Sequence, residues 1–160
     1  MAEERKVVAS FLREIGHRIG ASLSLDDDGN CALLYGDDQE ITVVVPDGSA
    51  SVILIAPVAT CPSSSRQAFY ERVLKLNLLG IENGGCLLGL DGDNDRIVLA
   101  LCQPVGTLDG RGFENLLANF IDVAQQTRAS LAEPIHPPSP SERRAATERS
   151  DIWPNLGLRA

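Results

Sequence analysis

Two acidic runs are the first places where chemistry could reside. Asp91, Asp93 and Asp95 alternate like the opening of a calcium loop, and so do Asp26, Asp28 and Asn30. Such a loop needs glycine at its sixth position and a glutamate at its twelfth. The first run has Arg96 and Cys102 there, and the second has Cys31 where the glycine should stand. Both therefore read as acidic hairpin turns, and no metal or cofactor is expected. The four cysteines, Cys31, Cys61, Cys86 and Cys102, contain no C-x-x-C pair, which argues against zinc. Cys86 and Cys102 fall in apolar strand-like runs, so buried thiols are expected in preference to disulfides. His17 lies on the polar side of a helical segment and His136 in a proline-rich one; both read as solvated. Ser63, Ser64 and Ser65 read as a helix cap. No phosphate loop, dinucleotide fingerprint or Gly-x-Ser-x-Gly elbow occurs. No catalytic residue is nominated, and the chain does not read as an enzyme.

Bulk properties narrow the field further. A chain of 160 residues with 44% hydrophobic content suggests one folded domain. Aromatic residues are only 4%, so Leu, Val, Ile and Ala must build the core. The net charge of −8 resides in residues 1–132, where 18 acidic side chains face 10 basic ones. Such a body repels a phosphate backbone, and nucleic acid is not an expected partner. No run approaches the ~20 apolar residues of a membrane span, nor is there a secretory signal core, so membrane insertion is not expected and a cytoplasmic location is.

The elements that would position any site follow from periodicity and turn chemistry. Residues 3–19 form an amphipathic helix, with Val7, Val8, Phe11, Leu12, Ile15 and Ile19 on one side. Four strands are predicted next, Ala21–Leu25, Cys31–Tyr35, Gln39–Val45 and Ser51–Val58, separated by short Asp/Gly/Pro turns. A central helix follows Pro62 and ends at Gly80 before a Glu82-Asn83-Gly84-Gly85 corner. A hairpin, 86–90 and 97–102, precedes a last helix from about Asp109 to Leu131. The predicted class is α+β: an antiparallel twisted sheet flanked by three helices, in the order α-β-β-β-β-α-β-β-α. Residues 1–132 form the domain. Residues 133–160, with Pro134, Pro137, Pro138 and Pro140, read as a largely extended tail: either a disordered end without function, or one whose Ile152, Trp153 and Leu156 fold back over the protein or engage a partner.

Two features point outward. The third and fourth strands do not alternate: Ile41, Val43 and Val45 share one face, yet Val44 is apolar on the other, and Val52 and Leu54 are backed by Ile53 and Ile55. A sheet with one wet face should alternate. The central helix likewise carries two apolar stripes, Phe69, Val73 and Leu76 beside Tyr70, Leu74 and Leu78. Elements of this kind need cover on two sides, which the chain's own helices, a second copy of the chain or another partner can supply.

The ordered combination of a helix, Leu76-Asn77-Leu78, Glu82-Asn83-Gly84-Gly85 and a hairpin ending Val98-Leu99-Ala100-Leu101 resembles the class I type III secretion chaperones, the Tir-chaperone-like family. The likeness covers roughly residues 3–132. It implies a homodimeric chaperone that binds the extended N-terminal segment of secreted effectors, keeps it non-globular, and delivers it to the export apparatus and its ATPase. The effector segment would lay apolar side chains into surface grooves and add a strand to a sheet edge. Effector-binding residues are expected at Phe11, Leu12, Ile15, Leu33, Tyr35, Ile41, Val43, Val45, Val52 and Leu54. The dimer is expected to use Tyr70, Leu74, Leu78, Leu88, Val98 and Ala100. Two other classes compete with this reading. A non-catalytic domain regulating a folded cytoplasmic partner would bind a globular surface. An enzyme using scattered carboxylates such as Glu82, Asp91 and Glu114 would need a deep polar pocket holding a strongly shifted group.

Overall fold

The computed structural model describes residues 3–78 and 84–134. Helix α1, Glu3–Ile19, buries Val8, Leu12 and Ile15. Strands β1 (Asn30–Tyr35), β2 (Gln39–Val44) and β3 (Ser51–Thr60) follow. Helix α2 (Arg66–Leu78), strands β4 (Leu87–Asp91) and β5 (Arg96–Pro104), a 3-10 turn at Val105–Thr107 and helix α3 (Gly110–Ala132) complete the chain. The expected class holds: three helices and an antiparallel sheet. Gly80, Glu82 and Asn83 lie outside the described residues, as do His136 and the tail beyond Pro134.

One predicted strand is not there. Ala21–Leu25 pairs with nothing in the sheet, so three strands precede α2 rather than four. Residues 23–27 run back along α1, forming a groove with Arg5, Lys6, Ala9 and Arg13. The Ala21 N–H donates to the Gly16 carbonyl at 2.9 Å. The approach is so close that a Cβ at Gly16 would meet the Ala21 oxygen at 2.5 Å. Leu23 and Leu25 reach the core from this helix-side path, which is why their alternation imitates a strand.

The sheet order is β1-β2-β3-β5-β4, all neighbours antiparallel. Its register separates two faces. Cys31, Val43, Leu54 and Leu101 align across four strands on one face. Ile41, Val52, Ala56, Leu99 and Leu88 extend that face and are buried. It is covered by Val8 and Leu12 of α1 and by Phe113, Leu117, Phe120 and Ala124 of α3. Phe11 stacks on Phe113 with ring centroids 5.6 Å apart, and Arg18 pairs with Glu114 at 2.7 Å, locking the two helices together. The Asp109 carboxylate caps α3 by accepting from the Gly112 N–H at 2.6 Å. At the far end of the core, α2 contributes Phe69 and Val73, and Arg72 of α2 bonds to Glu133 just past α3.

A charged side chain closes the near end. Arg5 is buried, although its place in the first polar turn of α1 suggests solvent. Its guanidinium donates to the carbonyls of Val45 (2.9 Å), Asp27 (3.1 Å) and Asp28 (2.6 Å). All four cysteines are free thiols. Cys31, Cys61 and Cys86 are buried, and burial pushes the Cys31 and Cys86 thiols up from their ordinary range. Cys102, expected inside, is exposed because its strand turns it to the opposite face of the sheet.

Candidate functional site

The second face of the sheet is the unusual one. Asn30, Ala32 and Leu34 of β1 lie opposite Val44, Thr42 and Glu40 of β2. Val44 and Thr42 adjoin Ile53 and Ile55 of β3, which adjoin Cys102 and Ala100 of β5. Val98 and Leu87 continue the face toward β4. Leu34 is 70% exposed and Leu87 63%. Val44, Ile53, Ile55, Val98 and Ala100 are half-buried. Among the described residues no helix packs on this side. A sheet face of valine and isoleucine left to water is unfavourable by roughly 25 cal/mol for each Å² of apolar surface, so it calls for a covering partner.

The expected effector-binding residues mostly belong to the other side. Leu12, Ile15, Ile41, Val43, Val45, Val52 and Leu54 are core residues and cannot meet a ligand without unfolding the domain. Phe11 and Leu33 are half-buried and packed on that core. Of the ten, Tyr35 alone is substantially exposed. The reason is the placement of the helices, which cover the face carrying Ile41, Val43, Val52 and Leu54. Leu34 of β1, Val44 of β2, and Ile53 and Ile55 of β3 occupy the opposite, uncovered face, and the failure of β2 and β3 to alternate is the signal in the sequence that marks it.

The expected dimer residues fare differently. Leu74 and Leu78 are 66% and 87% exposed on the outer side of α2. Tyr70 is half-buried and its hydroxyl bonds to the Cys61 thiol, while burial raises its pKa. Val98 and Ala100 lie on the uncovered sheet face, next to Leu87. Leu88 is a correction: it points into the core opposite Leu99 and is buried.

The two sheet edges are also unequal. Asn77 of α2 reaches β4 and satisfies both main-chain groups of Leu88, donating to its carbonyl at 2.9 Å and accepting from its N–H at 2.7 Å. Its amide thus mimics a neighbouring strand and blocks that edge at Leu88. On the opposite edge, the Val45 N–H donates to the Gly29 carbonyl at 2.8 Å. That bond sets the parity of the β1–β2 ladder: Cys31, Leu33 and Tyr35 bond inward to β2, leaving the peptide groups of Ala32 and Leu34 directed at the open edge.

The carboxylates do not converge. Asp91 is held below the usual carboxylate range by hydrogen bonds from Asn94 and Arg96. Glu114 pairs with Arg18 between α1 and α3, and Glu82 lies outside the described residues. Asp26, the other shifted acid, is also lowered, chiefly by accepting from the Asn30 N–H. The Asp91–Asp95 run closes the β4–β5 hairpin, and the Asp26–Asn30 run forms the turn that leads into β1. Among the described residues no cluster of three or more His, Cys, Asp or Glu could hold a metal. No described helix is long and apolar enough to cross a membrane.

Solved structures that share this architecture include chains of three complexes. A chain of the ExsC-ExsE complex is 25% identical, with a TM-score of 0.70 over 82% of this chain and 97% of that one. A chain of the HopA1-SchA chaperone-effector complex is 17% identical, with a TM-score of 0.66 over 81% and 98%. A chain of the heterodimeric ExoU-SpcU complex from the type III secretion system of Pseudomonas aeruginosa is 17% identical, with a TM-score of 0.56 over 78% and 93%. The last two likenesses establish the fold alone. No curated protein sequence gives a significant match. The Tir chaperone protein (CesT) family model matches residues 10–128, from the middle of α1 almost to the end of α3. On that span, the chain belongs to the Tir chaperone protein (CesT) family.

Proposed function

We propose that this protein is a cytoplasmic, homodimeric chaperone that binds the N-terminal segment of a type III secreted effector, keeps it extended and hands it to the export apparatus. The observation that carries the proposal is an apolar sheet face with one open edge, in a chain of this family. Val44, Ile53, Ile55 and Leu34 offer shallow sites for apolar side chains. The peptide groups of Ala32 and Leu34 offer main-chain bonds to an added strand. Affinity then comes from backbone bonds and buried methyl groups, so the bound segment needs no fold of its own. The acidic body suits this task, because net charge keeps a protein with exposed apolar surface from self-associating without limit. Nothing in the arrangement calls for catalysis, and delivery to the secretion ATPase is a step the chaperone would serve only by presentation.

Co-expression with N-terminal segments of secreted proteins from the same genome tests the reading. Size-exclusion chromatography with light scattering should give two chaperone chains per effector segment, the segment resisting protease yet showing no globular fold. Partners that bind only as folded domains would overturn it.

Dimerisation falls to the exposed stripe of α2 together with the β4–β5 half of the sheet face: Tyr70, Leu74, Leu78, Leu87, Val98 and Ala100. A specific interface buries upwards of about 1,000 Å² in total, and these exposed apolar residues are the ones best suited to supply it. Replacing Leu74 and Leu78 by glutamate should convert a particle of twice the 17.1 kDa chain mass into a single chain. A double variant that still scatters as a dimer would remove α2 from the interface.

A further inference from the structure

We propose that the segment Ile152-Trp153-Pro154-Asn155-Leu156-Gly157-Leu158 docks on the β1–β3 half of the uncovered sheet face of its own chain, and that an incoming effector segment must displace it. The displacement rests on the proposed function above; the docking does not. The sheet face bearing Leu34, Val44, Ile53 and Ile55 has no cover among the described residues. The dimer strip on α2 and β4 leaves this half free. A chain with no effector bound therefore exposes it to water, and the remainder of the sequence contains one segment with the composition to cover it.

Reach is sufficient. Leu131 and Ala132 at the end of α3 share a cavity of about 360 Å³ with Val58 and Thr60, so the tail leaves the fold beside the end of β3. Ile53 lies seven residues back along that strand, roughly 23 Å away. The chain from Pro134 to Ile152 can span up to about 60 Å when extended, enough to pass round the sheet. A tether of that length presents its end at an effective concentration on the order of millimolar, so even weak contacts are populated.

The segment's chemistry matches the surface. Ile152, Trp153, Leu156 and Leu158 are apolar, while Pro154 and Gly157 oppose a helix. An extended apolar strand is the ligand that a flat sheet face with an open edge accepts. The tail thus resembles a resident competitor, present in every chain and released only by a ligand that binds better.

Trp153 is the only tryptophan, so fluorescence excited selectively at the indole, beyond the absorption of Tyr35 and Tyr70, reports on this segment alone. In the effector-free full chain, its emission should lie to the blue of the denatured chain and resist acrylamide quenching. The variants Ile53→Asp and Ile55→Asp, checked for folding by circular dichroism, should shift it to the solvent-exposed value, as should saturation with an unlabelled effector segment. Trp153→Ala should raise effector affinity several-fold, by the inverse of the fraction of chains left open. Solvent-exposed emission in the wild-type chain would overturn the docking. So would blue emission that survives both aspartate variants, which would place the segment elsewhere. Emission that reddens on dilution would assign the contact to a second copy and overturn the intramolecular form. A docked Trp153 in a chain that captures no effector would count against the chaperone reading instead; effector capture with an exposed Trp153 would sink only the present inference.

Discussion

Aspartate at Ile53 is expected to leave a folded protein that no longer captures effector, whereas aspartate at Leu54 is expected to leave no folded protein. The two residues are adjacent on β3 and differ only in the face they serve. Leu54 is fully buried between Val43 and Leu101. A carboxylate there must protonate, which at three to five pKa units costs about 4–7 kcal/mol. Loss of the leucine side chain adds about 2–5 kcal/mol. Together these match the roughly 5–15 kcal/mol that holds a domain of this size together. Ile53 instead stands between Val44 and Cys102 on the uncovered face. A charge there remains hydrated in the free protein, and the loss of stability should stay near 1 kcal/mol. In the complex, the same charge would lie beneath apolar effector side chains. An unpaired charge at the centre of an interface typically costs about 2–5 kcal/mol, or 30- to several-thousand-fold in affinity. Thermal melts followed by circular dichroism, with calorimetric titration of an effector segment, separate the outcomes. A folded Leu54→Asp variant beside an unfolded Ile53→Asp one would mean that the sheet faces are assigned the wrong way round.

The second large effect is expected far from that face. Arg5→Met should destabilise the domain by about 3–5 kcal/mol, seen as a lower urea midpoint. The ion pair with Asp47, at 3.1 Å, is not the reason: Asp47 is 81% exposed, and such pairs contribute at most about 1 kcal/mol. The cost comes from the carbonyls of Val45, Asp27 and Asp28, which lose a buried, charged donor. Methionine keeps most of the packed stem, so the loss reports on hydrogen bonds rather than volume. Arg5→Lys should recover less than half, because an ammonium cannot span three acceptors set out for a planar fork. Gly29→Ala should fail in the same way. A Cβ there would stand 2.4 Å from the Val45 oxygen and 2.6 Å from the Arg5 Nε, at a φ of +86°. An Arg5→Met variant within about 1 kcal/mol of wild type would show the clamp to be ornamental.

The clamp has a bearing on the site. It ties the first turns of α1 to the Asp26–Asn30 turn and to the end of β2, the two segments that launch and anchor β1. β1 is the edge strand that would accept the effector backbone, and it has a neighbour on one side only. Its straightness therefore depends on what holds its first residues.

Much of this was legible in the residues themselves. The helices followed from apolar spacing, the hairpins from Asp/Gly turns, and the lack of alternation in 41–45 and 51–58 correctly announced a sheet apolar on both faces. The Leu76-Asn77-Leu78 words that carry the family likeness proved to have a mechanical reason, since Asn77 closes the β4 edge at Leu88. Local order of this kind depends on neighbours a few positions away, which is what a linear pattern records.

Tertiary structure alone decided which face is inside. With Val43 and Val44, or Leu54 and Ile53, equally apolar, a period of two defines both sets and prefers neither; the placement of α1 and α3 broke the tie. It also decided that Ala21–Leu25 would lie along α1 instead of joining the sheet, and that Arg5 would be buried by acceptors 22 to 40 residues away. Each of these outcomes is a contact between segments distant in the chain, and no local propensity encodes a partner that only the finished fold brings near.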